Sequence, residues 1–228
     1  MVWDVVLSSG YLAFGRQIGF LDALEASGLV VDGLCGTSSG ALAGALWAAG
    51  HRAERIAEVV PRPPISALRL SWRPWEGLLD QREMLRRLRG LMPAQFSDLE
   101  RPFAVGCMSM AQQPVLVTSG SLPEAVAASC AIPWLFRPVW VDGVPTLDGG
   151  PCDRTFIRPF RAWRGQRSTV VHLVERSIGQ KSPPELGDLP VVHSPRSRAG
   201  LFRLGPFDDE RRVSRDAATA VLSTLVAG

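Results

Sequence analysis

The sequence predicts an α/β protein in which a mostly parallel sheet carries helices on its faces. Two observations lead there. The chain opens as strand, loop, helix, strand, helix, with β-branched and helical-period apolar runs alternating from Val2 to Gly50. In addition, 228 residues with 46% hydrophobic content can bury the core of one large α/β domain, so a single domain over 1–228 is expected.

Val2 to Leu7 is a short β-branched run ending in Ser-Ser-Gly, and Gln17 to Ala26 then places apolar residues at helical spacing until Gly28 stops it. Leu29 to Cys35 is the second strand, and Ser38 to Ala49 is a helix closed by Gly50. Residues 61–77 hold too many prolines for regular structure and predict an excursion. Helical spacing returns over Gln81 to Leu91. Phe103 to Met110 and Pro114 to Thr118 predict strands, with a short helix over Leu122 to Ser129. Val139 to Val141 and Val144 to Leu147 flank Asp142-Gly143, a two-residue hairpin signal. Thr169 to Val174 is an apolar strand, Ile178 to Gly200 a polar loop, and Arg211 to Val226 a closing helix. The part beyond about residue 155 either covers the site or completes the sheet.

Charge argues against nucleic acid. The net charge is only +3, and the basic residues, all arginine except Lys181, are spread among acids along the chain. The N-terminal stretch has Asp4 where a secretory signal would be basic, and no run of ~18 apolar residues suggests a spanning helix. A cytoplasmic protein is expected. Cys35, Cys107, Cys130 and Cys152 are not closely paired and His51, His172 and His193 have no neighbouring ligand, so no metal and no cofactor is expected.

Gly36-Thr37-Ser38-Ser39-Gly40 has the form Gly-x-Ser-x-Gly, in which the middle serine stands on a sharp strand-to-helix turn. The flanking glycines suit backbone segments too close for a β-carbon. Ser38 is a candidate nucleophile at the positive end of a helix; a structural Gly/Ser turn is the alternative. The loop after the first strand would lie beside it, with backbone N–H groups at Gly10 and Tyr11 able to hold an oxyanion. Leu147-Asp148-Gly149-Gly150 ends a strand with a carboxylate followed by two residues without side chains, which makes Asp148 a candidate base.

Four ordered blocks carry a family resemblance: Ile18 to Leu24, Cys35 to Leu42, Ala128 to Pro133 with Phe136-Arg137-Pro138, and Asp148-Gly149-Gly150. Together they resemble the patatin-like phospholipases, serine lipid acyl hydrolases that use a Ser-Asp dyad. The resemblance implies a three-layer α/β/α sandwich, Ser38 as nucleophile, Asp148 as base, Gly36 and Gly40 as elbow glycines, and an oxyanion site around Gly10, Tyr11 and Ser39. It also implies a phospholipid or other acyl-ester substrate in an apolar pocket. The loop departs from the family pattern, since Ser8 to Ala13 has a single glycine and no basic residue after it. Buried Asp148 should have a raised pKa.

Two alternatives stay open. Ser38, Asp148 and His172 follow the chain order of an α/β-hydrolase triad, although His172 lies within an apolar strand. The altered loop also fits an inactive lipid-binding module. For a membrane surface, Trp72, Arg73 and Trp75 mix rings with charge, and the helix after them has Met84, Leu85, Leu88 and Leu91 on one side against Arg82, Arg86 and Arg89. That helix equally suits a core-facing role with a solvated arginine face. The oligomeric state has no signature in the sequence.

Overall fold

The computed structural model describes residues 1–60, 68–73, 75, 77–175, 186–203 and 205–227. Strand β1 (Val2–Leu7) leads through α1 (Phe14–Ser27) to β2 (Val30–Thr37), α2 (Ser39–Ala48) and α3 (Ala53–Val59). A small antiparallel pair, β3 (Arg69–Leu70) and β4 (Leu79–Asp80), precedes α4 (Arg82–Arg89). Then come β5 (Phe103–Ser109), β6 (Pro114–Val117), α5 (Leu122–Ser129), β7 (Val139–Val141) and β8 (Val144–Asp148). The chain closes with α6 (Ile157–Arg164), β9 (Thr169–Val174), β10 (Val191–Ser194) and α7 (Phe207–Ala227).

Among the described residues the main sheet runs β10-β9-β1-β2-β5-β8-β7, with β6 also on β5. The five strands from β10 to β5 are parallel, and β6, β7 and β8 are added antiparallel. Alternation sorts their side chains onto two faces. Val5, Leu7, Leu34, Phe103, Val105 and Val170 face a core shared with α1, α2, α5 and α7. Val6, Cys35, Ala104, Val171 and Leu173 face the other way, against Phe156, Ile157 and Phe160 at α6. Being covered on both sides is why β1 and β9 read as nearly unbroken apolar runs. The expected three-layer sandwich with a mostly parallel sheet is the architecture found.

The pairing along β5 brings two distant strand ends together. Val105 and Gly106 pair with β6 on one side and β2 on the other, and Thr37 of β2 sits opposite Gly106. Cys107 and Met108 still pair with β6, so their second partner, β8, must lie on the edge that β2 has just left. Asp148 is opposite Cys107. Strands β2 and β8 run in opposite directions along one edge of β5, and their C-terminal ends meet.

Several expectations need correction. The first helix starts at Phe14, ahead of Gln17, because Gly15 serves a close approach: a β-carbon there would come 2.9 Å from the Phe207 carbonyl oxygen. The polar loop expected from Ile178 contains β10, a short edge strand whose Val191 and Val192 pair with β9; residues 178–185 lie outside the described residues. Helices α3 and α6 were not expected, α6 because Pro159 and its arginines mask the Ile157/Phe160 spacing. The closing helix begins at Phe207, with Asp208, Asp209 and Glu210 in its first turn. Of the predicted excursion, residues 61–67, 74 and 76 lie outside the described residues.

Candidate active site

Strand β2 ends at Thr37 and α2 begins at Ser39, so Ser38 alone makes the turn, at φ 55° and ψ −120°. Such a conformation costs a non-glycine residue about 1–3 kcal/mol and persists only where neighbours enforce it. Here they do. A β-carbon on Gly36 would lie 2.5 Å from the Gly40 carbonyl oxygen, and one on Gly40 would lie 2.3 Å from the Leu7 carbonyl oxygen. The Ser38 N–H donates to Ser129 Oγ (2.8 Å), whose hydroxyl donates to the Gly106 carbonyl (2.7 Å). The Cys130 thiol donates to the Ser38 carbonyl at 3.4 Å.

Asp148, the last residue of β8, meets this turn because the two strand ends share the β5 edge. Its carboxylate accepts a hydrogen bond from the Gly150 N–H at 2.8 Å, and the Ser38 hydroxyl beside it favours its ionised form. The following glycines are steric necessities: a β-carbon on Gly149 would reach the Gly106 carbonyl oxygen at 2.7 Å, and one on Gly150 the Ser9 β-carbon at 2.9 Å. Burial raises the Asp148 pKa to about 6, and the Gly150 N–H and the neighbouring Ser38 hydroxyl hold it from rising further.

The loop after β1 is clamped at its base. Ser8 N–H donates to the His172 carbonyl (3.0 Å) and Ser8 Oγ accepts from Val174 N–H (2.9 Å). Ser9 N–H donates to the Arg154 carbonyl (2.8 Å), and the buried Arg154 guanidinium donates to the carbonyls of Ser9 and Val174. Beyond this anchor the backbone N–H groups of Gly10 and Tyr11, and that of Ser39 in the first turn of α2, make no hydrogen bond among the described residues. They are available to an oxygen arriving beside Ser38.

Two cavities meet at that point. One is apolar, lined by Leu42, Leu46, Leu88, Ile132, Phe136 and Leu201 among others. The second is more polar, with Ser9, Gly10, Asp148, Gly150, Arg154 and Arg196 in its wall. Ser38, Tyr11 and Ile132 line both. Helix α4 contributes Met84, Arg87 and Leu88 to the apolar cavity, and its Glu83 pairs with Arg86 and Arg87.

His172 is elsewhere. It points to the α1/α7 face of β9, stacked on Phe20 at 4.7 Å between ring centroids. Its Nδ1 donates to Gln17 Oε1 (2.9 Å), because the Gln17 amide NH2 is fixed toward the Ser8 carbonyl (2.8 Å) and Ser39 Oγ (3.4 Å). Its Nε2 meets Ser194 Oγ at 2.9 Å. Neither nitrogen is left for Ser38 or Asp148, which rules out the Ser38-Asp148-His172 triad. Burial lowers its pKa to about 3, with Arg16 and His193 adding to the shift.

Sequence reasoning thus assigned no part to Gln17, Ser129 and Arg154. A signal existed for Gln17: it is a polar residue on the apolar stripe Phe14, Ile18, Leu21, which predicts a buried group with a partner to satisfy. Nothing local marks Arg154, whose partners lie 20 and 145 residues away. Among the described residues no cluster of three or more His, Cys, Asp or Glu side chains is arranged to hold a metal ion.

Comparison with known proteins gives a consistent set of relatives. The sequence model of the family described as "Patatin-like phospholipase" matches residues 5–161. An uncharacterized NTE family protein of Mycobacterium tuberculosis is 30% identical over 181 residues, covering 74% of this chain and 48% of its own. The chain therefore spans about half the length of the curated relatives it matches. Among solved structures, VipD from Legionella pneumophila superposes with a TM-score of 0.61 at 11% identity, over 99% of this chain and 66% of VipD. The type III effector ExoU of Pseudomonas aeruginosa gives 0.56 at 15% identity, over 99% and 53%. At such identities the two structures speak for the fold.

Proposed function

The chain belongs to the patatin-like phospholipase family, and on that premise we propose that it is a lipid acyl hydrolase working through Ser38 and Asp148. The observation that carries this reading is the meeting of the Ser38 turn and the buried Asp148 carboxylate in the wall of one cavity, at its junction with an apolar one.

In this mechanism the acyl chain enters the apolar cavity and brings its ester carbonyl against Ser38. Asp148 takes the hydroxyl proton as Oγ attacks the carbonyl carbon. The carbonyl oxygen gains the negative charge and is held by the N–H groups of Gly10, Tyr11 and Ser39, each of which is worth about 10²-fold or more when correctly aimed. The positive end of α2 acts on the same charge. When the carbon–oxygen bond to the alcohol breaks, protonated Asp148 returns the proton to the departing alkoxide, which leaves through the polar cavity. Water then repeats the sequence: Asp148 takes its proton, hydroxide adds to the acyl carbon, and Ser38 leaves with the proton from Asp148 as the free acid is released.

A carboxylate is ordinarily a weak base for a serine hydroxyl. Burial answers part of this, since a pKa of about 6 leaves Asp148 largely ionised at neutral pH yet more basic than an exposed aspartate. Facing the Ser38 hydroxyl from a buried position also reduces the need to reorganise solvent.

Turnover of a water-soluble short-chain ester and of a long-chain phospholipid by the wild type, Ser38→Ala and Asp148→Asn tests the proposal. Each substitution should cost about 10³-fold or more with the fold intact by circular dichroism. A folded wild type that turns over neither ester would instead favour the inactive lipid-binding module. No helix among the described residues is long and apolar enough to cross a membrane.

A further inference from the structure

Three separate segments, residues 68–73 with 75 and 77–79, 131–136 and 200–203, converge at the wall of the apolar cavity. They share a small core with β5 and β8, built by Leu68, Leu79, Met108, Ala131, Phe136 and Leu147 with Leu135 and Leu201 packed against it. The backbone ties them together: Leu79 N–H donates to the Leu135 carbonyl at 2.8 Å, Arg137 N–H returns to the Leu79 carbonyl at 3.2 Å, and Leu70 pairs with Leu79 across β3 and β4.

Each segment does two things at once. Its inward residues, Leu68, Ile132, Phe136 and Leu201, line the cavity. Its outward residues are large, apolar and exposed: Leu70 at 85%, Trp134 at 90% and Phe202 at 78%, joined by Trp72 and Trp75. Folding does not account for them, because they bury almost nothing. Trp134 even holds a left-handed backbone (φ 69°), closed by Phe136 N–H donating to the Ile132 carbonyl, while leaving its ring in water. Phe202 stands at the tip of a tight turn closed by hydrogen bonds between Gly200 and Arg203. Several such side chains around one opening mark a docking surface.

Charge selects the occupant. In the sequence of 68–80, 131–137 and 200–203 the cations are Arg69, Arg73, Arg137 and Arg203, against the acids Glu76 and Asp80, and Asp80 is buried and paired with Arg82 and Arg137. The Arg73 guanidinium lies 4.3 Å from the Trp72 ring centre and that of Arg137 5.9 Å. Indole rings with arginine beside them match the headgroup layer, where rings sit at the apolar boundary and guanidinium groups meet phosphate. We infer that this rim docks the protein on an anionic lipid surface, with Trp134, Phe202 and Leu70 entering the headgroup boundary so that the cavity opens directly into lipid. The choice of lipid as occupant rests on the acyl-hydrolase reading of the cavity.

Cosedimentation of the full chain carrying Ser38→Ala, so that no lipid is consumed, measures docking without turnover. Binding should be stronger to phosphatidylcholine–phosphatidylglycerol vesicles than to pure phosphatidylcholine and weaken with salt. Adding Trp134→Ser and Phe202→Ser should lower the affinity by about tenfold or more. The same two substitutions in otherwise wild-type protein should leave short-chain ester turnover unchanged, which also shows that they fold. Absence of vesicle binding, affinity unmoved by the double substitution, or a vesicle-free dimer abolished by it would each overturn the inference, the last in favour of a second copy on this face. Ester turnover without vesicle binding would sink the docking surface and leave the hydrolase; vesicle binding dependent on Trp134 without any turnover would do the reverse.

Discussion

Asp148 and His172 lie in the same sheet, one at the end of β8 and one within β9, and burial pushes both toward their neutral forms: the carboxyl up to about 6, the imidazole down to about 3. Their settings are opposite. Asp148 opens onto a cavity that it shares with a serine standing on a strained turn. His172 is sealed between α1 and α7, with Gln17 and Ser194 on its nitrogens and Phe20 on its ring. The size of a pKa shift therefore does not identify a reacting group; access and an adjacent nucleophile do. His172 supports the candidate site at a distance instead, orienting Gln17, which bridges the Ser8 carbonyl at the base of the loop after β1 to Ser39 at the start of α2.

The largest contrast should come from removing each group. Asp148→Asn should abolish turnover while making the protein more stable at pH 7. Because the folded pKa is above the unfolded one, the native state holds its proton longer, and ionising the buried carboxylate costs stability as pH rises from about 4 to 6. Asparagine escapes this cost, so urea unfolding should show a gain of about 1–3 kcal/mol at pH 7 that vanishes near pH 4. A loss of stability at pH 7 would contradict the buried-charge account.

Next in size is the acid limb of the rate profile. Short-chain ester kcat/KM should fall about tenfold per unit below pH 6 as Asp148 protonates. A limb that disappears in His172→Ala would transfer the titration to the wrong residue.

The smallest effect on turnover belongs to His172→Ala, which should leave kcat/KM within about threefold where the protein is folded. Its cost appears in stability, about 2–4 kcal/mol, because Gln17 Oε1 and Ser194 are left without their buried partner. The pH dependence has the sign opposite to that of Asp148: the depressed imidazole contributes stability that is present above about pH 6.5 and lost as pH falls toward 3.

How these two groups differ also explains what the sequence made legible. Local punctuation was enough for the opening β1–α1–β2–α2 unit, for the turn at Ser38 and for the strand ending in Asp148, since glycines, β-branched runs and helical spacing are short-range signals. A hairpin turn at Asp142-Gly143 was equally plain, and both residues have positive φ. What brings Ser38 to Asp148 is not local. It is the substitution of β8 for β2 along one edge of β5, a pairing between residues 37 and more positions apart that no spacing rule encodes. The clamp from Arg154 to Ser9 and the bond from His172 to Gln17 are longer-range still. The exposed rim was half legible: Trp72 and Trp75 stand out beside prolines, whereas Trp134 and Phe202 join them only once Leu79 pairs with Leu135 and Leu201 packs against the same cluster.

The most direct test is the rate at which a fluorophosphonate labels the protein, followed by intact mass across pH for the wild type and for Asp148→Asn. The account predicts a single adduct on Ser38 whose rate rises through about pH 6 and drops about 10³-fold or more in Asp148→Asn. An adduct forming at the same rate in both proteins, or no adduct on a folded wild type, would contradict it.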